Sequence, residues 1–411
     1  MRTLARHEAT IGDLQALTPL MGATDQPASG IYLGEDLIGR PFTFDPFELY
    51  REGRITSPNQ LIVGQIGRGK SSLVKAMVLR HLGLGRSAFV VDPKGEYAAL
   101  AEVAGGLVIK LSPGGGQQIN PLSPVPGANH DQQRAGHVRL LETIAASTLG
   151  RPVRPMERLA IEVALDASSN DQRSPTVSGV VDRLFRPEGM VFNALGIADG
   201  DVLAQSRDLA IELRRLVDGD LRGMVDGDDG FRVDDADLVV VDLSALYGGD
   251  GLGVVMVCVM AWMQQILAQR HRRGYQAILV IDEAWALLRD LEAARWLQHA
   301  LKLSRAWGIS TVAVLHRISD LTAVGDDGSE QRALARSLLL ETEVRTVFAQ
   351  PASALDELDR ALSLSEIQRE LVPRLPKGTA LWHVGASAHV VHHRVGSTEW
   401  DLIDTDHMLR S

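Results

Sequence analysis

Gly64-Gln65-Ile66-Gly67-Arg68-Gly69-Lys70-Ser71 constrains the fold of this chain more than any other stretch. It fits the pattern G-x-x-x-x-G-K-[ST]. The apolar residues Leu61-Ile62-Val63 before it read as a buried strand, and residues 72 to 82 after it read as a helix. A strand, a glycine-rich turn and a helix in that order form a phosphate cradle. The glycines let backbone N–H groups turn inward around a phosphate chain. Lys70 places a point charge on the β- and γ-phosphates, and Ser71 offers a hydroxyl to Mg²⁺. The helix N-terminus adds its own positive end. The residues expected to bind nucleotide are therefore Gly64, Gln65, Ile66, Gly67, Arg68, Gly69, Lys70, Ser71 and Ser72, with ATP and Mg²⁺ as cofactors.

The rest of the chain suits an α/β protein. Ala88–Val91, Leu107–Ile109, Leu238–Asp242, Ala277–Ile281 and Ser310–Leu315 are short apolar runs separated by helical segments. Strands that are apolar throughout and alternate with helices predict a parallel sheet covered on both faces. With 411 residues, 45% hydrophobic and 23% charged, a sizeable core is available. A net charge of −10 argues against an outer surface coated in nucleic acid. The single cysteine, Cys258, excludes an internal disulfide framework and fits a reducing compartment. No signal peptide is expected at Met1–Thr10. The apolar run Val254–Met263 reads as a buried core helix, too short to span a bilayer.

The expected organisation has five parts. Residues 1–55 form a small β-rich module with a hairpin around Gly34-Glu35-Asp36. Residues 56–124 carry the first part of the P-loop core, and 125–235 a mostly helical insertion. Residues 236–395 complete the core, and 396–411 are a tail. Within the insertion, His137–Leu149 and Met156–Leu165 have helical periodicity, and Ser174-Pro175-Thr176 reads as a helix start. The Asp/Gly-rich stretch Asp226–Gly230 lacks the spacing of a calcium loop and reads as a solvated turn. Residues Gly325–Glu330 read as a flexible acidic loop.

Asp282-Glu283 follows the strand Ile278–Ile281. In a P-loop protein, a carboxylate at the C-terminal end of a strand is where Mg²⁺ is held. Asp282 takes that role, and Glu283 is the expected general base. The helix after Glu283 carries Leu287, Leu291, Ala294 and Leu301 on one face and stops at Gly308. Near its end, Arg305 suits either a finger on a neighbouring subunit's ATP or a simple complement to the helix dipole. His316 ends the strand Ser310–Leu315, either facing the γ-phosphate or serving as a structural residue. His389, His392 and His393 lie in an alternating strand-like run and are read as strand residues, not a metal site. Asp92-Pro93-Lys94-Gly95-Glu96-Tyr97 faces the same sheet edge, and Glu96 is counted with the nucleotide-binding residues. Alone, that stretch reads equally as a turn with a helix start.

Together these motifs resemble the HerA/FtsK superfamily of hexameric ATPases. They are residues 64–71, Asp92–Tyr97, Asn120-Pro121-Leu122, Asp282-Glu283-Ala284-Trp285, Ser304-Arg305 and the polar residue at 316. The helical insertion, with Pro155-Met156-Glu157-Arg158 and Pro175-Thr176, is most similar to the VirB/TraC-type ATPases of conjugation and type IV secretion. The resemblance covers roughly residues 55–390. It implies a RecA-like core that assembles as a homo-hexameric ring with ATP between subunits. It also implies an arginine finger at Arg305 and a sensor at 316. Most members carry glutamine at the sensor; this chain has histidine, so hydrolysis is expected to be slow or pH-dependent near neutrality. The large N-terminal domain usual in that family is expected to be absent. Membrane-embedded secretion or conjugation proteins are the expected partners, at a cytoplasmic location on the inner face of the membrane. Two alternatives remain. One is a HerA-like or coupling-type translocase acting on DNA. The other is an ATP-binding switch with little hydrolysis.

Overall fold

A computed structural model describes residues 30–124, 129–169, 174–186, 198–226, 233, 236–289, 291–318, 333–334, 337–339 and 341–403. Its centre is an 11-stranded sheet. The strands are β1 (Ile31–Asp36), β2 (Pro41–Phe44), β3 (Gln60–Val63), β4 (Ser87–Asp92), β5 (Leu107–Lys110) and β6 (Leu238–Asp242). After them come β7 (Ala277–Ile281), β8 (Ile309–Leu315), β9 (Val344–Phe348), β10 (Thr379–Val384) and β11 (Ser387–His393). Across the sheet they run β2-β1-β11-β10-β9-β3-β8-β7-β4-β6-β5. From β9 to β5 every neighbouring pair is parallel. From β2 to β9 every pair is antiparallel.

Period-two alternation splits the apolar residues of each central strand between two cores. Leu61, Val63, Phe89, Val91, Val239 and Val241 pack on one face. Ile62, Ala88, Val90, Leu238, Val240 and Val280 pack on the other. All residues of β4, β7 and β8 are buried, as expected where helices cover both faces.

The second face is covered by α2 (Lys70–Gly83) and α3 (Ala98–Val103), after a short α1 (Pro46–Arg51). Most of the first face lies under α4 (His130–Leu149), α5 (Pro155–Ser169), α6 (Val177–Phe185), α7 (Asp199–Val217) and α8 (Leu252–Arg272). Thr176 caps α6, its hydroxyl accepting from the Gly179 N–H at 3.1 Å. Val138, Leu141 and Ile144 of α4 share one continuous core with Val255 and Met256 of α8, so the helical segment is not a separate globule. Buried Glu157 is held there by Arg151 and by the Arg154 N–H.

The apolar run at Val254–Met263 extends into a 21-residue helix, long and apolar enough to cross a membrane. In the fold 72% of its apolar window is buried, as a core helix against the sheet.

The hairpin of β1 and β2 joins the central sheet through β11. Gly34 makes this close pairing feasible: a Cβ there would lie 2.1 Å from the His392 carbonyl oxygen. The helix expected after Glu283 is interrupted. A short α9 (Trp285–Leu288) precedes α10 (Leu291–Ser304), and Gly308 closes the following 3₁₀ turn in a left-handed conformation. The C-terminal side carries α11 (Leu355–Leu362), α12 (Glu366–Leu371) and α13 (Ser397–Ile403). Glu399 of α13 pairs with Arg80 of α2 at 2.6 Å. Met1–Thr10, Gly325–Glu330 and most of the Asp226–Gly230 turn lie outside the described residues.

Candidate active site

The P-loop leaves β3 and turns directly into α2. Gly67 and Gly69 have positive φ, and Gly69 caps α2 without any side-chain bond. The first N–H groups of this 14-residue helix therefore have no side-chain cap from Gly69. Lys70 is the first helical residue and 5% exposed. Its Nζ donates to the carbonyl oxygens of Gly64 and Gln65, the latter at 3.0 Å. Ser71 and Ser72 lie half-buried in the first turn.

The loop is braced from the antiparallel side of the sheet. The Gln65 N–H donates to Ala349 O at 3.2 Å, and the Gly378 N–H donates to Arg68 O at 2.9 Å. Gly64 packs so tightly on Phe348 that a Cβ at 64 would lie 2.4 Å from the Phe348 Cβ.

Across from the loop, β7 ends in Asp282 and Glu283. Asp282 is 4% exposed, and burial pushes its carboxyl up to about 7. The neighbouring Glu283 charge adds to the shift and Lys94 opposes it. Glu283 is a non-glycine residue with φ 52°, a backbone conformation that costs energy. Its carboxylate is almost fully buried and held by donors from separate elements. Oε1 meets His316 Nε2 at 2.7 Å and pairs with Lys94 Nζ; Oε2 accepts from the Trp285 indole N–H. Burial pushes this carboxyl up, but the bonds from His316, Lys94 and Trp285 outweigh it and hold it at about 2.

Lys94 belongs to the turn after β4, which Asp92 organises. The Asp92 carboxylate accepts from the N–H groups of Lys94, Gly95 and Tyr97 at 3.2, 2.9 and 2.9 Å. Glu96 of the same turn lies near enough to Asp282 to raise its pKa. Its Oε2 is buried and has no hydrogen-bond partner among the described residues.

A cleft of about 780 Å³ separates the P-loop from Glu283 and His316. Tyr247, Trp285, Arg317 and Lys377 complete its wall. Arg305 is elsewhere. It sits in the 3₁₀ turn before β8, whereas His316 follows the end of β8. Seven residues of strand, roughly 23 Å, separate the two positions. In its own chain Arg305 donates to Thr56 O at 3.2 Å. The C-terminal histidines are structural by their bonds: His393 accepts from the Trp382 indole at 2.9 Å, and His392 bonds Thr379 Oγ1 at 2.9 Å.

The TraG P-loop domain family matches residues 30–167. Protein TraC of Escherichia coli (strain K12) is 20% identical over 369 residues, 87% of this chain and 39% of TraC. The chain thus spans about two-fifths of the length of that relative. The structure of VirB4 from Thermoanaerobacter pseudethanolicus superposes with a TM-score of 0.75 at 24% identity, covering 91% of this chain and 98% of that one. The chain resembles the P-loop ATPases of the VirB4/TraC type, in sequence to TraC and in fold to VirB4. The conjugative coupling protein TrwB shares the fold more distantly, with a TM-score of 0.61 at 16% identity over 92% of each chain.

The site fits a magnesium-bound nucleoside triphosphate. No group of three or more His, Cys, Asp or Glu side chains among the described residues forms a metal cage. Mg²⁺ in phosphate sites needs only one or two protein oxygens besides the phosphates. Asp282, buried among the like charges of Glu283, Asp92 and Glu96, favours a cation beside it.

Several cleft residues were not singled out from the sequence. Trp285 was visible only as part of a motif, and Lys377 lies in no stretch that the sequence singles out. Tyr247 and Arg317 carry no local signal. They reach the cleft because parallel strands end at one edge of the sheet.

Proposed function

We propose that this chain is an ATP-hydrolysing motor that works as a ring of identical subunits and energises conjugative transfer or type IV secretion. The observation that carries the reading is the cleft itself. It sets the P-loop residues Gln65 to Arg68 opposite the carboxylate of Glu283 at the sheet edge. Two further facts support it. TrwB has been solved with a non-hydrolysable ATP analogue and with ADP and Mg²⁺. The fold and TraC likenesses point to conjugation and secretion systems.

In this reading the P-loop N–H groups and Lys70 hold the phosphate chain. Ser71 and Asp282 hold Mg²⁺, which when bound neutralises charge developing on the phosphates. Glu283 orients the attacking water and polarises it through its ionised carboxylate. His316 bonds Glu283 and faces the same cleft. Arg305, remote from its own cleft, acts on the nucleotide of the adjacent subunit. The proposed setting is cytoplasmic, with membrane-embedded transfer proteins as partners.

A DNA translocase is the second reading, favoured by the fold shared with the coupling protein TrwB. Steady-state phosphate release with and without single- and double-stranded DNA separates the two. Turnover indifferent to DNA supports the secretion motor. Strong stimulation by DNA replaces it with the translocase.

A further inference from the structure

Glu283 poses a physical problem that the proposed chemistry does not solve. A base that orients water must be held in one rotamer, yet Glu283 sits on a strained backbone and is 1% exposed. A buried carboxylate needs donors to offset its desolvation. His316 supplies one. The others come from Lys94, on the turn after β4, and Trp285, at the start of α9.

The Lys94 turn is built to be rigid. Asp92 pins it through the N–H groups of Lys94, Gly95 and Tyr97. Gly95 has φ 72°, and a Cβ there would approach the Ser244 Cβ to 3.2 Å. Lys94 Nζ lies 3.5 Å from His316 Nε2 and 6.0 Å from the centre of the Tyr247 ring. Trp285 is fixed in turn by the Arg289 guanidinium, 5.5 Å from its ring centre. Each donor thus has a second neighbour besides Glu283, and the two grip opposite oxygens of one carboxylate.

We infer that Lys94 and Trp285 are positioning residues that fix the Glu283 carboxylate for the attacking water. Neither is needed to hold the nucleotide. The inference rests on the reading of Glu283 as the base.

The test uses the full chain and compares Lys94→Met, Lys94→Arg, Trp285→Phe, Glu283→Gln and the double variant Lys94→Met/Glu283→Gln. Single-turnover hydrolysis and the Kd for a fluorescent ATP analogue are measured for each. Lys94→Met and Trp285→Phe should each slow hydrolysis at least tenfold while Kd stays within twofold of the parent. Lys94→Arg keeps a cation and should recover most of the rate. The double variant should show no release and should keep the Kd of Glu283→Gln alone, because residues that act through one group are not additive.

If Lys94→Met hydrolyses at the parental rate or faster while Glu283→Gln is inactive, the base reading stands and the positioning role fails. A large rise in Kd would make Lys94 a nucleotide ligand and overturn the inference as well. Parental activity in Glu283→Gln would remove the base reading itself. Trp285→Phe and Lys94→Arg keep the question open to refutation should Lys94→Met fail to fold.

Discussion

Glu283 Oε1 and His316 Nε2 lie 2.7 Å apart, although 33 residues separate them in the chain. β7 and β8 are parallel neighbours, so their C-terminal ends deliver both residues to one edge of the sheet. The contact joins the expected base to the expected sensor. Replacing His316 by glutamine keeps a donor for Glu283 and puts donor and acceptor on one amide head. His316→Gln should therefore match or raise the hydrolysis rate, and His316→Ala should lose about tenfold or more, the scale of one hydrogen bond to a charged group. Rates for the two variants at saturating ATP check this; equal rates would make His316 a packing residue.

Lys70→Ala should abolish nucleotide binding, because it removes the charge at the start of α2 and the bonds that Lys70 makes to Gly64 and Gln65. Equilibrium binding of a fluorescent ATP analogue is the readout. Affinity within threefold of the parent would contradict the P-loop assignment.

Arg305 cannot reach its own cleft from the opposite end of β8. Arg305→Ala should assemble and bind nucleotide normally while hydrolysis falls about a thousandfold or more, the low end for the loss of an arginine finger. Mixing Arg305→Ala with Lys70→Ala subunits should restore part of the activity at the interfaces that pair an intact P-loop with an intact finger. No recovery in verified mixed rings would count against action across subunits.

Gly64 touches Phe348 where β9 braces the P-loop. Gly64→Ala forces the two apart and should destabilise the fold by about 1–3 kcal/mol. It should also weaken nucleotide binding. Removing the clashing Cβ in Gly64→Ala/Phe348→Gly should recover binding more than stability. Thermal melts and binding isotherms test both parts.

Acid should destabilise the protein through its buried histidines. Burial drives both His81 and His393 down from 6.5 to about 3. In the unfolded chain each imidazole takes up a proton near 6.5, whereas in the fold it stays neutral until about 3. The unfolded state then binds more protons, so stability is complete above pH 6.5 and falls as pH drops toward 3. Each histidine contributes about 1.4 kcal/mol per pH unit to that fall. Urea midpoints at pH 7.5 and 5.5 should differ, and His81→Gln/His393→Gln should flatten the difference. An unchanged slope in the double variant would refute the assignment.

The P-loop and Asp282-Glu283 were legible because each is a local pattern beside an apolar strand. The parallel core was legible for the same reason: β4, β6, β7 and β8 are uninterrupted apolar runs. β9 escaped notice because Arg345 and Thr346 break its pattern, and those polar groups find partners only in the fold. Arg345 donates to Leu339 O and Thr342 O, and Thr346 Oγ1 accepts from Gln60 at 2.8 Å. The grip of Lys94 and His316 on Glu283 was hidden because strand order brings residues 94, 283 and 316 together, and strand order is not written in any local stretch. The left-handed backbone of Glu283 carries no sequence signal either, since glutamate is not a turn residue.

Phosphate release from ATP by the purified parent chain, with Glu283→Gln as the blank, separates a hydrolytic cleft from one that only binds nucleotide. The parent should release phosphate steadily, and the variant, still binding ATP with parental affinity, should release none. Equal release by both, with binding intact, would remove Glu283 from the hydrolytic step.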